Sequence, residues 1–67
     1  MVVLPEYSDV KLTLPYRREG KKTIPKGAIG TIVEIYSKLH AYTVEFAEPY
    51  SCVETIAMMM VLPITHG

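Results

Sequence analysis

Apolar and polar positions alternate with a period of two in several short runs of this chain, the spacing of strands that bury one face. Val10-Lys11-Leu12-Thr13-Leu14 alternates and stops at Pro15, which predicts a half-buried strand. A second strand is predicted from Gly30 to Tyr36. Strict alternation puts Val33 and Ile35 on one of its faces and Ile32 and Tyr36 on the other, with Glu34. A strand that is apolar on both faces is central, sharply curved or covered by a partner. After a short turn over residues 37–41, Tyr42-Thr43-Val44-Glu45-Phe46 gives the cleanest alternation, with Tyr42, Val44 and Phe46 inward and Thr43 and Glu45 outward. The two runs and their short connection predict an antiparallel hairpin, and residues 47–51 a second turn.

From Cys52 onward the pattern is mixed. Val53, Thr55 and Ala57 alternate with Glu54, Ile56 and Met58 as in a strand, whereas Met58 to Leu62 is compatible with a helical turn, because methionine favours helix. Pro63 stops either form. The reading is a strand, a short 3₁₀-like turn and a brief closing strand over Val61 to Ile64. Five short strands separated by turn signals predict an all-β fold, a small five-stranded SH3-like barrel with a long first loop. That loop is YRREGKKTIPKG, residues 16–27, and its glycines and proline predict that it folds back on itself. In so small a domain, a loop of this length goes with function or with packing.

The loop ends in Lys26-Gly27-Ala28-Ile29-Gly30, a glycine spacing that raises the question of a phosphate cradle. The context excludes it. A nucleotide-binding loop places its lysine after the glycines and leads into a helix whose N-terminus faces the phosphate. Here the lysine comes first and a β-branched strand follows. Gly27 is expected to supply a positive φ at the loop end. Gly30 is expected where the strand kinks and its backbone passes close to a neighbour.

The run from Lys26-Gly27 through Gly30-Thr31-Ile32-Val33-Glu34-Ile35-Tyr36, then a turn, then Tyr42-Thr43-Val44-Glu45-Phe46, resembles the glycine-strand-hairpin core of small SH3-like barrels. The layout over residues 8–64 is similar to that of a family of small bacterial proteins, a domain of unknown function. Its members open with an alternating strand like Asp9-Val10-Lys11-Leu12 and carry a loop ending in Lys-Gly. A strand like Thr55-Ile56-Ala57 follows their hairpin. The resemblance implies the barrel and a bacterial source, and it implies no activity. The chain departs from the family in its more apolar C-terminal MMMVLPITHG and in the absence of a glycine in the turn near Pro49.

Size narrows the picture. Sixty-seven residues make one domain, residues 1–67 with a core over about 8–64. A domain of this size buries only about 60% of the surface its unfolded chain exposes, so a partner or crosslink often supports it. Cys52 is the lone cysteine, which excludes an internal disulfide and points to a reducing compartment, the cytoplasm. Cys52, His40 and His66 lack the paired spacing of a zinc site, so no metal or cofactor is expected. Seven basic residues balance seven acidic ones, leaving no global field toward nucleic acid or anionic lipid. The N-terminal MVVLPEYSD has no basic leader, and the apolar run from Ile56 to Pro63 is too short to span a bilayer, so neither a signal peptide nor a membrane partner is expected.

Candidate chemistry is sparse. No nucleophile, base and orienting group fall into a recognisable order around His40, His66 or Cys52, and exposed histidines and a half-buried cysteine are the simpler reading. Glu34, Glu45 and Glu54 are expected on outward strand positions, where a solvated face is the default. Arg17, Arg18, Lys21, Lys22 and Lys26 put five of the seven cations into ten residues beside Tyr16, a candidate nucleic-acid contact on an otherwise neutral chain. Met58, Met59 and Met60 cannot all point inward from a strand. Together with Val61, Leu62, Ile64 and the Ile32 and Tyr36 face of the second strand, they form a candidate protein interface, since methionines make adaptable contact surfaces. The expectation is therefore a non-enzymatic cytoplasmic module that binds a protein partner or itself, antitoxin-like or an accessory subunit by analogy. An RNA- or DNA-binding barrel using residues 17–26 is the alternative.

Overall fold

A computed structural model describes residues 2–65 of the chain. His66 lies outside the described residues. The fold is all-β: five strands, β1 (Asp9–Leu12), β2 (Ile29–Tyr36), β3 (Ala41–Glu48), β4 (Cys52–Ala57) and β5 (Val61–Pro63), form one antiparallel sheet in the order β4-β3-β2-β1-β5. No ladder joins β4 to β5, so the sheet is open. Two 3₁₀ turns, Ser37–Leu39 and Met58–Met60, connect β2 to β3 and β4 to β5.

The predicted hairpin forms with Ile32 opposite Val44, Ile35 opposite Tyr42 and Tyr36 opposite Ala41. Its inner face carries Val44, Phe46 and Tyr42, all fully buried, and these pack with Val10, Leu12, Ile24, Ala28, Ile56, Met58 and Val61. Strict alternation along β2 fails at one residue. The register jumps between Ile32 and Glu34, so Val33 is the extra residue of a β-bulge. Gly30 and Ile32 face inward before the bulge and Ile35 after it. Ile32 is therefore a core residue with no surface in water, and the sequence expectation that it lies on the outer face with Tyr36 is corrected.

Gly30 is fixed by space. A Cβ there would stand 2.7 Å from Val44 Cγ1 and 2.8 Å from the Glu45 carbonyl oxygen, so β2 and β3 approach as closely as they do only because the side chain is absent. Gly27 has open space around it and a φ of +89°, the left-handed turn expected at the loop end. The Gly27 N–H donates to the Leu12 carbonyl at 2.8 Å, and this bond brings the loop back onto β1. The N-terminal segment is tied down as well: the Leu4 N–H donates to Tyr42 Oη at 2.8 Å. Among the described residues, no helix is long and apolar enough to cross a membrane.

Candidate functional site

Two surfaces have a chemistry distinct from the rest: the basic loop over 13–28 and the apolar ground around the second 3₁₀ turn. The loop is a folded object. Tyr16 and Ile24 form an antiparallel bridge, each N–H donating to the other's carbonyl, at 2.8 and 2.9 Å, and Ile24 is driven fully into the core. Side-chain contacts then fasten this small hairpin to β4 and the turn before it, among them a long bond of 3.5 Å from Tyr16 Oη to the Thr55 carbonyl. Arg18 donates from one terminal nitrogen to Glu54 Oε2 at 3.2 Å and from Nε to the Lys22 carbonyl at 2.9 Å. Tyr50 Oη donates to the Thr23 carbonyl. The Lys22 ammonium lies 5.5 Å from the centre of the Tyr50 ring, within cation–π reach. Partial burial alone pushes the Arg18 pKa down; the hydrogen bond to Glu54 and the neighbouring Cys52 and Tyr50 outweigh it, and the guanidinium stands above the ordinary arginine value.

These contacts divide the five candidate cations. Arg18 is half-buried against Glu54, whereas Arg17, Lys21, Lys26 and Lys22, which lies over the Tyr50 ring, are exposed. Arg18, a candidate contact to nucleic acid, already donates from Nε and one terminal nitrogen to partners inside the chain. Glu54 is not on an outward strand face with Glu45. It shares the inner side of β4 with Ile56 and pairs across to Val44, at the rim where the loop seals the sheet.

The methionine turn separates its three side chains because a 3₁₀ helix has three residues per turn and points successive residues in different directions. Met58 is buried, Met60 is half-buried and Met59 is 87% exposed. Val61, first residue of β5, is also in the core. Met58 and Val61 therefore belong mainly to the domain's own core, and only their edges reach the apolar surface beside Met59. Tyr36 is exposed but sits outside the set of residues that line the apolar ground.

That ground is formed by residues from distant parts of the chain. On one side of Met59, a groove of about 370 Å³ is lined by Val2, Leu4, Tyr42, Met58, Val61, Leu62 and Pro63. On its other side, a smaller groove of about 310 Å³ is lined by Leu39, His40, Ala57 and Met58. Val2, Leu39 and Leu62 are 85%, 73% and 52% exposed, so large apolar side chains stand in water around a projecting methionine. Of the residues named from the sequence, Met58, Met59, Val61 and Leu62 line these grooves and Met60 does not, and sequence reasoning missed Val2 and Leu39. For Val2 and Leu39 the chain offers no signal.

Elsewhere the ionisable side chains are dispersed. His40 and Cys52 sit at opposite ends of the β3–β4 ladder, next to the Ala41–Ala57 pair and in the Phe46–Cys52 pair. Asp9 accepts a hydrogen bond from Thr31 at 3.1 Å on the outer face. Comparison with known proteins finds no family model, no curated protein and no solved structure that matches the chain.

Proposed function

We propose that this chain is a non-enzymatic binding or assembly module of SH3-like build, acting in the cytoplasm on a protein partner or on a second copy, in the manner of an antitoxin or an accessory subunit. The observation that carries the reading is the exposed apolar ground centred on Met59, with Val2, Leu39 and Leu62 around it. Contiguous apolar surface of this kind on a small domain is where partners dock. The strand order β4-β3-β2-β1-β5, with a 3₁₀ turn between β4 and β5 and a long, folded first loop, supports the SH3-like reading. The lone Cys52 supports a reducing compartment.

The test is capture of protein partners and measurement of mass in solution, each with wild type, Met59→Lys and Val53→Lys. Val53 is an exposed apolar residue toward the far end of β4. The reading expects Met59→Lys to abolish the association and Val53→Lys to preserve it. A chain that neither self-associates nor retains any protein, or one whose contacts ignore Met59, overturns it. The nucleic-acid alternative rests on the exposed Arg17, Lys21, Lys22 and Lys26, with Arg18 already held by Glu54.

A further inference from the structure

We propose that the free edge of β4 takes up an extended peptide strand, added antiparallel to the sheet and acidic at its C-terminal end. The site is separate from the ground around Met59 and adds a second surface to the binding-module reading. β4 stands last in the strand order, with β3 as its ladder partner. The Met58 N–H donates to the His40 carbonyl at 2.8 Å, which makes the adjacent Ala41–Ala57 pair one that exchanges no bonds of its own. Alternation along the ladder then gives the bonds with β3 to Glu54 and Ile56. It turns the N–H and carbonyl groups of Val53 and Thr55 away from β3. The Thr43 and Thr55 hydroxyls meet at 2.8 Å, the close side-chain approach of a pair of that kind.

The two edges of the sheet are guarded differently. At β5 the Val61 N–H is already bonded to the Met58 carbonyl, and Pro63 has no N–H. β4 has no proline, no lysine or arginine and no break in its register, the devices that keep an edge from pairing. Among the described residues, the outward groups of Val53 and Thr55 make one hydrogen bond, from Tyr16 Oη to the Thr55 carbonyl. At 3.5 Å it is longer than an ordinary hydroxyl bond. Unpaired N–H and carbonyl groups at strand spacing are satisfied together by the backbone of another extended chain. A nucleic acid has no such alternation of donor and acceptor, and this neutral chain lacks the field that draws one.

Charge sets the direction of the added strand. Glu54 is the one ionic side chain of β4, and Arg18 holds it at 3.2 Å. Tyr50, just before β4, has the Lys22 ammonium over its ring, and the exposed Lys21 is next in the loop. Cations therefore gather at the N-terminal end of β4, whereas Ile56 and Ala57 make its other end apolar. An antiparallel strand meets those cations with its C-terminal half. Glu45, opposite Val53, lies on the outer face, so the acids of the added strand belong on the inner one, beside Cys52. Its outer positions meet Val53 and Thr55, where β-branched side chains pair well.

Titration of the full chain with the capped peptide acetyl-Thr-Leu-Val-Gln-Val-Glu-Thr-Glu-amide, followed by backbone amide NMR shifts, tests the proposal. In the antiparallel register its valines fall opposite Thr55 and Val53, and its first glutamate opposite Cys52. The expected result is saturable binding with Kd between about 10 μM and 1 mM, the range of a few backbone bonds, and the largest shifts at Val53 and Thr55. N-methylation of the two valine amides, which face β4, weakens binding at least about tenfold. N-methylation of the glutamine and first glutamate amides, which face away, weakens it far less. The same residues in reverse order bind several-fold more weakly, as does the Lys22→Glu chain with the original peptide, and Met59→Lys changes nothing. Absence of saturable binding up to about 1 mM overturns the proposal, as does binding indifferent to which amides are methylated. An oligonucleotide that shifts Arg17, Lys21 and Lys22 while the peptide shifts nothing assigns the loop to nucleic acid and also ends it. Loss of the edge site leaves the Met59 reading standing, and failure of the Met59 test leaves the edge site standing.

Discussion

Gly27 lies in the turn that ends the loop and Gly30 in the start of β2, and their substitution is costly for different reasons. At Gly30 a methyl group meets Val44 and the Glu45 carbonyl inside van der Waals contact, and backbone cannot step aside as a side-chain tip can. Gly30→Ala is therefore expected to destabilise by roughly 1–3 kcal/mol, the range for an overpacked interior. At Gly27 there is room, and only the positive φ opposes a side chain; Gly27→Ala is expected to destabilise by about 1–2 kcal/mol. Urea unfolding of both variants checks this. A Gly30→Leu change separates the two cases further, since it should prevent folding, while Gly27→Leu should resemble Gly27→Ala. Both roles were legible in the sequence, because a glycine before a β-branched strand has few structural uses. Ile32 was not legible. Its direction depends on the bulge at Val33, and nothing in the run Ile32-Val33-Glu34-Ile35 marks which residue is the extra one.

At the scale of elements, the loop over 13–28 belongs to the core as much as to the surface. Ile24 is fully buried, so Ile24→Ala is expected to cost about 2–5 kcal/mol, like other large-to-small changes in an interior. Total stabilities of small domains are only about 0.05–0.15 kcal/mol per residue, so for this chain that change approaches global unfolding. Loss of near-ultraviolet circular dichroism at room temperature checks it. The Arg18–Glu54 contact has a different consequence. Glu54→Ala removes the acceptor that holds the loop to β4 and leaves the sheet intact. The expected result is faster trypsin cleavage after Arg17, Lys21 or Lys22 at an almost unchanged melting temperature, and cleavage at the wild-type rate refutes the clamp. Composition and turn signals announced a loop that doubles back. They did not announce its partner, because Arg18 and Glu54 are thirty-six positions apart and only the packing of the loop across the sheet brings them together.

For the molecule as a whole, solubility, stability and association separate at Met59. Its side chain is almost entirely in water, so Met59→Lys is expected to change unfolding free energy by no more than about 0.5 kcal/mol while removing association. A large loss of stability instead would mean that Met59 supports the fold and not a partner. A low-salt gel assay with mixed oligonucleotides addresses the alternative: binding that falls steeply with salt and weakens on Arg17→Ala with Lys21→Ala supports nucleic-acid recognition, and the neutral net charge leads us to expect no shift. By itself the sequence determined the all-β class, the five strands and their turns, and the fact that three consecutive methionines cannot all be buried. Period-two alternation, proline stops and glycine punctuation are local properties that a linear pattern records. Only tertiary structure decided which methionine faces water, that Ile32 lies inside, that Arg18 is engaged, and that Val2, Leu39, Met59 and Leu62 share one face. Those outcomes depend on a one-residue bulge and on residues far apart in the chain meeting across a sheet, and neither leaves a trace in local periodicity.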